Sequence, residues 1–279
     1  MKGDPRVPSR PQPKRRGWHW TEWACEFAGT FFQLFFGFVA VAIVEYRDSP
    51  IRRAIASSGL RLIVIGLAFG SLAALVAVSP LGRRSGAHLN PAVTAGFWAR
   101  GHTHPHDLFG YAIAQTAGAT AAAVGFVALL GGWADAVHGA RTQPGDDVRW
   151  WIAAAIEAAL TFGLLSVIFL MVSHPRTARL TPAAVVGWLP ILIWLGASHT
   201  GASMNPARSI GPDIATHAFP ALPIYLAAPV AGAVTAALLF GPVTRRSTLT
   251  AKLFHDQEYP TTHASALPAK PATPPGRHA

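Results

Sequence analysis

Six long apolar stretches follow one another along the chain, separated by segments rich in charged residues, Pro and Gly. They cover residues 21–44, 60–79, 107–131, 150–173, 181–198 and 221–242. A helix of about 20 apolar residues crosses the ~30 Å hydrocarbon core of a bilayer, because each residue adds roughly 1.5 Å. The pattern therefore predicts six transmembrane helices and an all-α membrane protein.

Two copies of one short motif lie outside these stretches, between the second and third and between the fifth and sixth. Both read Ser/Thr-Gly-Ala-x-Leu/Met-Asn-Pro-Ala, beginning at Ser85 and at Thr200. Asn is a favoured N-cap, and Pro suits the first helical position because an N–H there would have no partner. Each copy thus predicts a helix that starts at the Pro. The shared core consists of Asn90, Pro91, Ala92, Asn205, Pro206 and Ala207.

The helices predicted after these motifs are too short to cross a bilayer. Residues 91–100 and 206–215 each form a segment of roughly 15 Å, about half of the hydrocarbon core. They are therefore predicted to be re-entrant half-helices. Each accompanies three spans, so the chain consists of two repeats, at about residues 20–131 and 150–242.

The two repeats are predicted to cross the membrane in opposite directions, because three spans is an odd number. The half-helices then meet at mid-membrane with their N-termini, whose partial positive charge repels cations. We expect Asn90 and Asn205 to cap these helices through the side-chain oxygen and to leave amide N–H groups free for the lumen. Such a site suits water or small neutral polyols, and it suits Na⁺, K⁺ and H₃O⁺ badly.

Composition and charge agree with a membrane protein and argue against a nucleic-acid partner. Charged residues make up 13% of the chain, against about 25% in soluble domains. The net charge of +10 comes from Lys and Arg concentrated outside the spans. With the N-terminus inside, sixteen of these residues fall on the inner side and seven on the outer, despite an Arg-rich first outer loop. The positive-inside rule thus predicts that both termini are cytoplasmic.

The two ends of the chain lack the pattern of the spans. Residues 1–19 are rich in Pro, Arg and Lys, and residues 246–279 contain repeated Pro without hydrophobic periodicity. Segments of this kind cannot bury enough apolar surface to fold. We predict a disordered cytoplasmic tail at each end of a channel domain at residues 20–245.

The two Asn-Pro-Ala motifs, with Ser-Gly-Ala-His in the first and Arg directly after the second, resemble the aquaporin, or major intrinsic protein, family. Glu26 and Glu157, at equivalent places in spans 1 and 4, add to the resemblance. It covers about residues 20–245. It implies the aquaporin-like fold of six helices and two half-helices, a homotetramer with one pore per subunit, and passive channel activity in the plasma membrane. No enzymatic activity, cofactor or metal is implied.

In this family, the selectivity filter near the outer mouth takes two residues from the second re-entrant loop and one each from spans 2 and 5. Counting from the second motif gives Ala202 and Arg208 for the loop pair. Span 2 offers Phe69 if the loop at 79–84 has one extra residue, and Gly70 if it does not.

Span 5 offers Ile193, or Trp194 if its loop is one residue shorter. Strict water channels of the family usually have His at this position, so strict water-only selectivity is not implied. Ser209, after the second motif, resembles the water-channel subfamily, because glycerol facilitators typically have Asp there. The resemblance implies water as the principal substrate, with glycerol or another small neutral solute as the alternative.

Two glutamates and several histidines within the channel domain could also carry a function, but each has a simpler interpretation. Glu26 and Glu157 are expected to brace the re-entrant loops, since their symmetric placement fits a repeated structural role better than a proton relay. His88 is expected to line the pore. The alternating histidines at 102–106 are interpreted as an ordinary hydrophilic loop and not as a metal site, because no cluster of carboxylates or thiolates accompanies them.

Three other classes of membrane protein compete with a passive channel, and one of them, a junctional or scaffolding protein with an incidental pore, is distinguished by liposome permeability. An intramembrane enzyme needs a nucleophile with its base, or paired carboxylates at one depth, and the sequence offers neither pair. A secondary active transporter also uses inverted repeats and broken helices, but it couples to an ion through a buried charge. Only Glu26 and Glu157 could provide that charge, so a passive channel is the prediction.

Overall fold

A computed structural model describes residues 18–244 as a bundle of helices. In chain order, the helices are α1 (Trp20–Glu45), α2 (Pro50–Ala54), α3 (Ser58–Val78), α4 (Pro80–Ser85), α5 (Pro91–Ala99), α6 (Pro105–Leu130), α7 (Gly132–Ala136), α8 (Trp150–Val172), α9 (Pro175–Ala178), α10 (Thr181–Thr200), α11 (Pro206–Thr216) and α12 (Leu222–Thr244). A single 3₁₀ turn, His138–Ala140, follows α7. Within residues 18–244 there is no β-strand.

Six of these helices, α1, α3, α6, α8, α10 and α12, are long and apolar enough to cross a membrane. Each end lies within two residues of the predicted boundary. Large apolar side chains remain exposed on their outer surfaces, for example Ile113 at 70% and Leu129 at 75%. In a bilayer, such surfaces face lipid without penalty. The fold class predicted from the sequence, an all-α membrane protein with six spans, is confirmed, and the protein is an integral multi-pass membrane protein.

The two half-helices, α5 and α11, begin at the prolines of the two motifs and end close to their predicted ends. Helix α11 runs one residue beyond the predicted range and α5 stops one residue short of it. Because the spans alternate in direction, α1 begins and α12 ends at one face of the bundle, here called the terminal face. Helix α5 runs from the centre towards this face, and α11 runs from the centre towards the opposite face.

Helix packing repeats in the two halves of the chain. Helix α1 packs against α6, and α8 packs against α12. Gly118 on α6 lies directly on the carbonyl of Phe27, and Gly232 on α12 lies directly on the carbonyl of Ala158. Only a residue without a side chain allows backbones to approach so closely in a membrane bundle. Both repeats therefore use the same contact to bring their first and third spans together.

Each half-helix packs against a span of the other repeat, and these contacts join the two repeats. Helix α5 of the first repeat packs against α12 of the second, and α11 of the second packs against α6 of the first. Helices α3 and α10 also pack closely across the repeat boundary. These contacts bring the two motif loops to the centre of one helical bundle.

The predicted tails lie almost wholly outside the described residues, but the first one overlaps them at Trp18 and His19. His19 is buried, with 7% exposure, and its Nδ1 lies 2.9 Å from a carboxylate oxygen of Asp107 at the start of α6. Trp23 donates to the same carboxylate oxygen at 2.9 Å. Asp107 thus joins the start of α6 to the residues at the start of α1.

Candidate pore and its filter positions

One cavity of about 640 Å³ runs between the two faces of the bundle. Arg83 and Arg179 line it near the terminal face, and Arg141 lines it near the opposite face. Asn90 and Asn205 line its middle. The cavity therefore passes between the tips of the two half-helices.

The two motif loops share an unusual backbone. Gly86, Ala87 and Leu89 in the first loop have positive φ angles, and so do their counterparts Gly201, Ala202 and Met204 in the second. Residues with a side chain lose stability in this conformation, by roughly 1–2 kcal/mol each. The loops must therefore be held by strong contacts elsewhere.

Glu26 supplies such contacts to the first loop. Its carboxylate is fully buried and accepts from the backbone N–H groups of His88 at 3.0 Å and Leu89 at 2.7 Å. The hydroxyl of Ser85 and the amide of Gln115 donate to it as well, each at 2.7 Å. Charge-assisted hydrogen bonds of this length are strong, and here they bind a span to a re-entrant loop.

Glu157 makes the equivalent set of contacts in the second repeat. It accepts from the backbone N–H groups of Ser203 at 2.9 Å and Met204 at 2.8 Å, and from the hydroxyl of Thr200 at 2.7 Å. The described residues that line the cavity do not include either glutamate. Their geometry is that of braces, which is the role proposed for them from the sequence.

The two asparagines cap the half-helices. Oδ1 of Asn90 accepts from the N–H of Ala92 at 2.8 Å, and Oδ1 of Asn205 accepts from the N–H groups of Ala207 at 3.0 Å and Arg208 at 3.3 Å. Pro91 and Pro206 occupy the first helical positions, where no N–H is needed. The first turn of each half-helix thus points its positive end at the middle of the cavity.

The side-chain amide groups of these asparagines are not wholly free, which differs from the expectation based on the sequence. The side-chain nitrogen of Asn90 donates to the carbonyl of Met204 at 2.8 Å, and that of Asn205 donates to the carbonyl of Leu89 at 3.0 Å. One N–H of each amide is therefore engaged and not free, because the carbonyls of the opposite loop lie within reach. The second N–H of each amide remains to donate into the lumen, and the reciprocal pair joins the tips of the half-helices.

Four side chains line the cavity between its middle and the opposite face at the positions expected for a filter. They are Phe69, Ile193, Ala202 and Arg208. Three are apolar or small, and the fourth carries a permanent charge with five N–H donors. A molecule at this level meets hydrogen-bond donors on the Arg208 side and apolar surface from Phe69 and Ile193.

The structure decides between the alternatives left open in α3 and α10. Phe69 lines the cavity, whereas Gly70 lies against the backbone of Val186 on α10. Ile193 is 8% exposed and lines the cavity, whereas Trp194 is 51% exposed on the outside of the bundle. The residues facing the cavity are therefore Phe69 and Ile193.

Arg208 is held in place by groups from three other segments. Its Nη1 donates to the carbonyl of Ala140, in the turn after α7, at 2.6 Å. Its guanidinium carbon lies 5.3 Å from the ring centre of Phe38 on α1 and 5.9 Å from that of Phe69. A cation at these distances from an aromatic ring is attracted to it. The contact with Phe38 could not be found from the sequence, because one Phe in a Phe-rich span gives no signal of its role.

His88 lies in the part of the cavity nearer the terminal face. Its ring stacks on Phe97 with the ring centres 5.0 Å apart, and its Nδ1 lies 3.1 Å from the hydroxyl of Thr94. Its Nε2 is buried and has no hydrogen-bond partner within the described part of the chain. His88 therefore lines the cavity, while its unpaired ring nitrogen is itself buried.

Two buried tyrosines also fix the motif loops, and the sequence analysis missed them. Tyr111 donates to the carbonyl of Ser85 at 2.7 Å, and Tyr225 donates to the carbonyl of Thr200 at 2.6 Å. Each lies near the start of the third span of its repeat. Comparing the two repeats position by position would have found this pair, because both spans place Tyr at the same point.

Of the histidines at 102–106, His102 and His104 precede α6, and His106 lies in its first turn. His104 caps this helix by accepting from the N–H of His106 at 3.2 Å. Among residues 18–244, no group of three or more His, Cys, Asp or Glu could hold a metal ion.

Comparison with known proteins gives the same family throughout. A family model described as "Major intrinsic protein" matches residues 15–240. Aquaporin NIP1-4 of Oryza sativa is 36% identical over 213 residues, which cover 76% of this chain and 72% of the relative. Aquaporin AqpM of Methanothermobacter thermautotrophicus is 35% identical over 236 residues, which cover 78% of this chain and 95% of the relative.

The fold has a solved counterpart as well. The X-ray structure of the aquaglyceroporin from Plasmodium falciparum matches with a TM-score of 0.67 at 23% identity, covering 80% of this chain and 96% of that chain. At this identity the likeness concerns the fold alone. The family model spans most of the chain, and the paired motif loops, braces and caps all lie within its range. The chain therefore belongs to the major intrinsic protein family.

Proposed function

We propose that this protein is a passive channel for water, with small uncharged solutes as secondary substrates, and that it excludes ions and protons. The observation that carries the proposal is the continuous cavity that passes between the N-termini of α5 and α11. The names of the two relatives, both aquaporins, support water as the conducted molecule. The protein acts as a channel and not as an enzyme.

Ion exclusion follows from the charges around the cavity. A cation that reaches the middle meets the positive ends of two helices, each equivalent to roughly half an elementary charge. A cation that enters from the opposite face has also passed Arg208, whose guanidinium is permanently charged. Water and neutral solutes are not repelled, and they receive hydrogen bonds from Arg208 and from the free N–H groups of Asn90 and Asn205.

The site residues have the following proposed roles. The Asn-Pro-Ala motifs form the central barrier, and Phe69, Ile193, Ala202 and Arg208 form the selectivity filter. His88 lines the inner part of the pore, and Glu26 and Glu157 brace the loops. The filter lacks a His on α10, and this apolar surface at Ile193 is the reason for including small neutral solutes.

The experiment that tests this function is stopped-flow light scattering of proteoliposomes under an osmotic gradient. A sucrose gradient measures water permeability, and a glycerol gradient then measures solute permeability. We expect fast shrinkage in sucrose and slower re-swelling in glycerol. Shrinkage no faster than that of protein-free liposomes would refute the proposal, and glycerol permeation faster than that of water would reverse the order of substrates.

We further propose that the protein lies in the plasma membrane with both termini in the cytoplasm. The count of Lys and Arg supports this orientation, with sixteen on the inner side against seven on the outer. Protease treatment of intact cells tests the orientation, since cytoplasmic tails should be cleaved only after the cells are opened.

A homotetramer with one pore per subunit is also proposed, on the resemblance to the family. The apolar side chains exposed along the spans supply surface for contacts between subunits as well as for lipid. Measurement of the native mass in detergent tests the proposal, with four copies expected and a stable monomer contradicting it.

A further inference from the structure

The aromatic ring at the filter rests on a residue that has no side chain. A Cβ atom placed on Gly37 of α1 would lie 2.5 Å from Cε1 and 2.7 Å from Cζ of Phe69. Real Cβ atoms do not approach other atoms so closely. The ring of Phe69 can therefore occupy its position only because residue 37 is Gly.

Phe38, the residue after Gly37 on α1, contacts Arg208, the charged residue of the proposed filter. Phe38 is fully buried, and its ring centre lies 5.3 Å from the guanidinium carbon of Arg208. One short segment of α1, Gly37-Phe38, thus supports the ring of Phe69 and the charge of Arg208 from behind. Among the residues lining the cavity in the described part of the chain, neither member of this segment appears.

The second repeat shows that Gly is not a general requirement at this point of the fold. The alignment that pairs Glu26 with Glu157 pairs Gly37 with Ile168 and Phe38 with Phe169. Ile168 carries a full side chain, which itself lines the cavity near the terminal face. The aromatic residue is thus common to both repeats, whereas Gly occurs only in the first repeat, beside the proposed filter.

We propose that Gly37 is a specificity-determining residue of the channel, because it lets the ring of Phe69 lie back against α1 and thereby sets the width of the filter. A methyl group at residue 37 would push the outer edge of this ring away from α1. Because Phe69 lines the cavity, the ring would move towards the lumen. This inference rests on the proposed channel function.

The test compares Gly37→Ala with wild type for a series of neutral molecules of increasing size: water, formamide, urea and glycerol. Permeability is measured on proteoliposomes of equal protein density. The largest molecule that the wild-type channel passes should lose roughly tenfold in permeability, the low end of the discrimination that one methylene group gives in a pocket. Gly187→Ala is the matched control, because a Cβ on Gly187 of α10 meets no atom within 4 Å. It should behave as wild type.

The mechanism is tested by repeating the substitution in a Phe69→Leu background, where no ring remains to be displaced. Adding Gly37→Ala to Phe69→Leu should then change no permeability. Equal permeabilities of Gly37→Ala and wild type would overturn the proposal, and so would a loss that persists in the Phe69→Leu background.

Poor folding of Gly37→Ala leaves the proposal testable. If the ring causes the conflict, Phe69→Leu should restore the folded yield of the double variant, and a double variant that still fails to fold would overturn the proposal. A wild-type protein without water permeability would instead refute the channel function itself. The two failures are therefore distinguishable.

Discussion

At the scale of single residues, Arg208 is the proposed charge of the filter. Its position depends on the carbonyl of Ala140 and on the rings of Phe38 and Phe69, which come from three different segments. The guanidinium combines a permanent charge with donors in a fixed fork. It can therefore hydrogen-bond a neutral molecule and repel a cation at the same point.

Replacing Arg208 by Val should widen the filter and remove this repulsion, leaving the helix ends as the only barrier. Urea and glycerol permeability should rise relative to water, and a small proton leak should appear. The measurement is the flux of urea, glycerol and protons through proteoliposomes. Arg149→Val is a suitable control, because Arg149 is an exposed residue at the start of α8. Three fluxes equal to those of wild type would place the filter elsewhere.

The sequence alone identifies some of the proposed filter residues better than others, for a physical reason. Ala202 and Arg208 belong to the motif itself, so counting along one continuous loop finds them. Phe69 could not be separated from Gly70, because counting from the motif crosses the loop at residues 79–84. Most of this loop belongs to the short helix α4, whose length in residues is not fixed by the distance that it spans.

At the scale of the elements, each half-helix depends on its asparagine cap and on its glutamate brace. The cap joins the tip to the opposite loop, and the brace holds the strained backbone that precedes it. The motif pattern predicted the caps, and the symmetric placement of the two glutamates favoured their interpretation as braces. Neither feature predicted the reciprocal amide contacts, because these depend on the distance between two loops that the sequence leaves far apart.

Asn205→Asp should damage the central barrier while keeping the shape of the side chain. It removes the N–H that donates to the carbonyl of Leu89 and adds negative charge at the positive helix ends. We expect weaker exclusion of K⁺ and Na⁺, lower folded yield, or both, as measured by cation flux and by protein recovery. Asn90→Asp should act in the same way, since the two caps are equivalent. Normal assembly with unchanged water and cation fluxes would contradict the account of the barrier.

Replacements of Glu157 separate a brace from a proton relay. Glu157→Gln keeps one acceptor oxygen and should preserve water permeability. Glu157→Leu leaves the buried N–H groups of Ser203 and Met204 unpaired, at about 1–3 kcal/mol each. Thermal unfolding in detergent should therefore show a clear loss for Leu and a smaller one for Gln. A proton-coupled uptake signal that Glu157→Gln abolishes would favour a transporter instead.

At the scale of the whole molecule, two repeats of opposite direction place one pore at their junction. The number of spans and the two motifs were enough to predict this arrangement, because an odd number of spans per repeat reverses the second half. The exchange of α5 and α11 between the repeats could not be predicted, since uniformly apolar helices give no periodic signal of which faces meet. The exchange brings the two positive helix ends together at the middle of the cavity.

The central claim is that this junction passes water and rejects protons. Proteoliposomes that contain a pH-sensitive dye allow both fluxes to be measured on the same preparation, under an osmotic gradient and then under a pH gradient. The account predicts water permeability well above that of protein-free liposomes, together with a proton flux equal to theirs. A proton flux that rises with protein density in parallel with the water flux would contradict it.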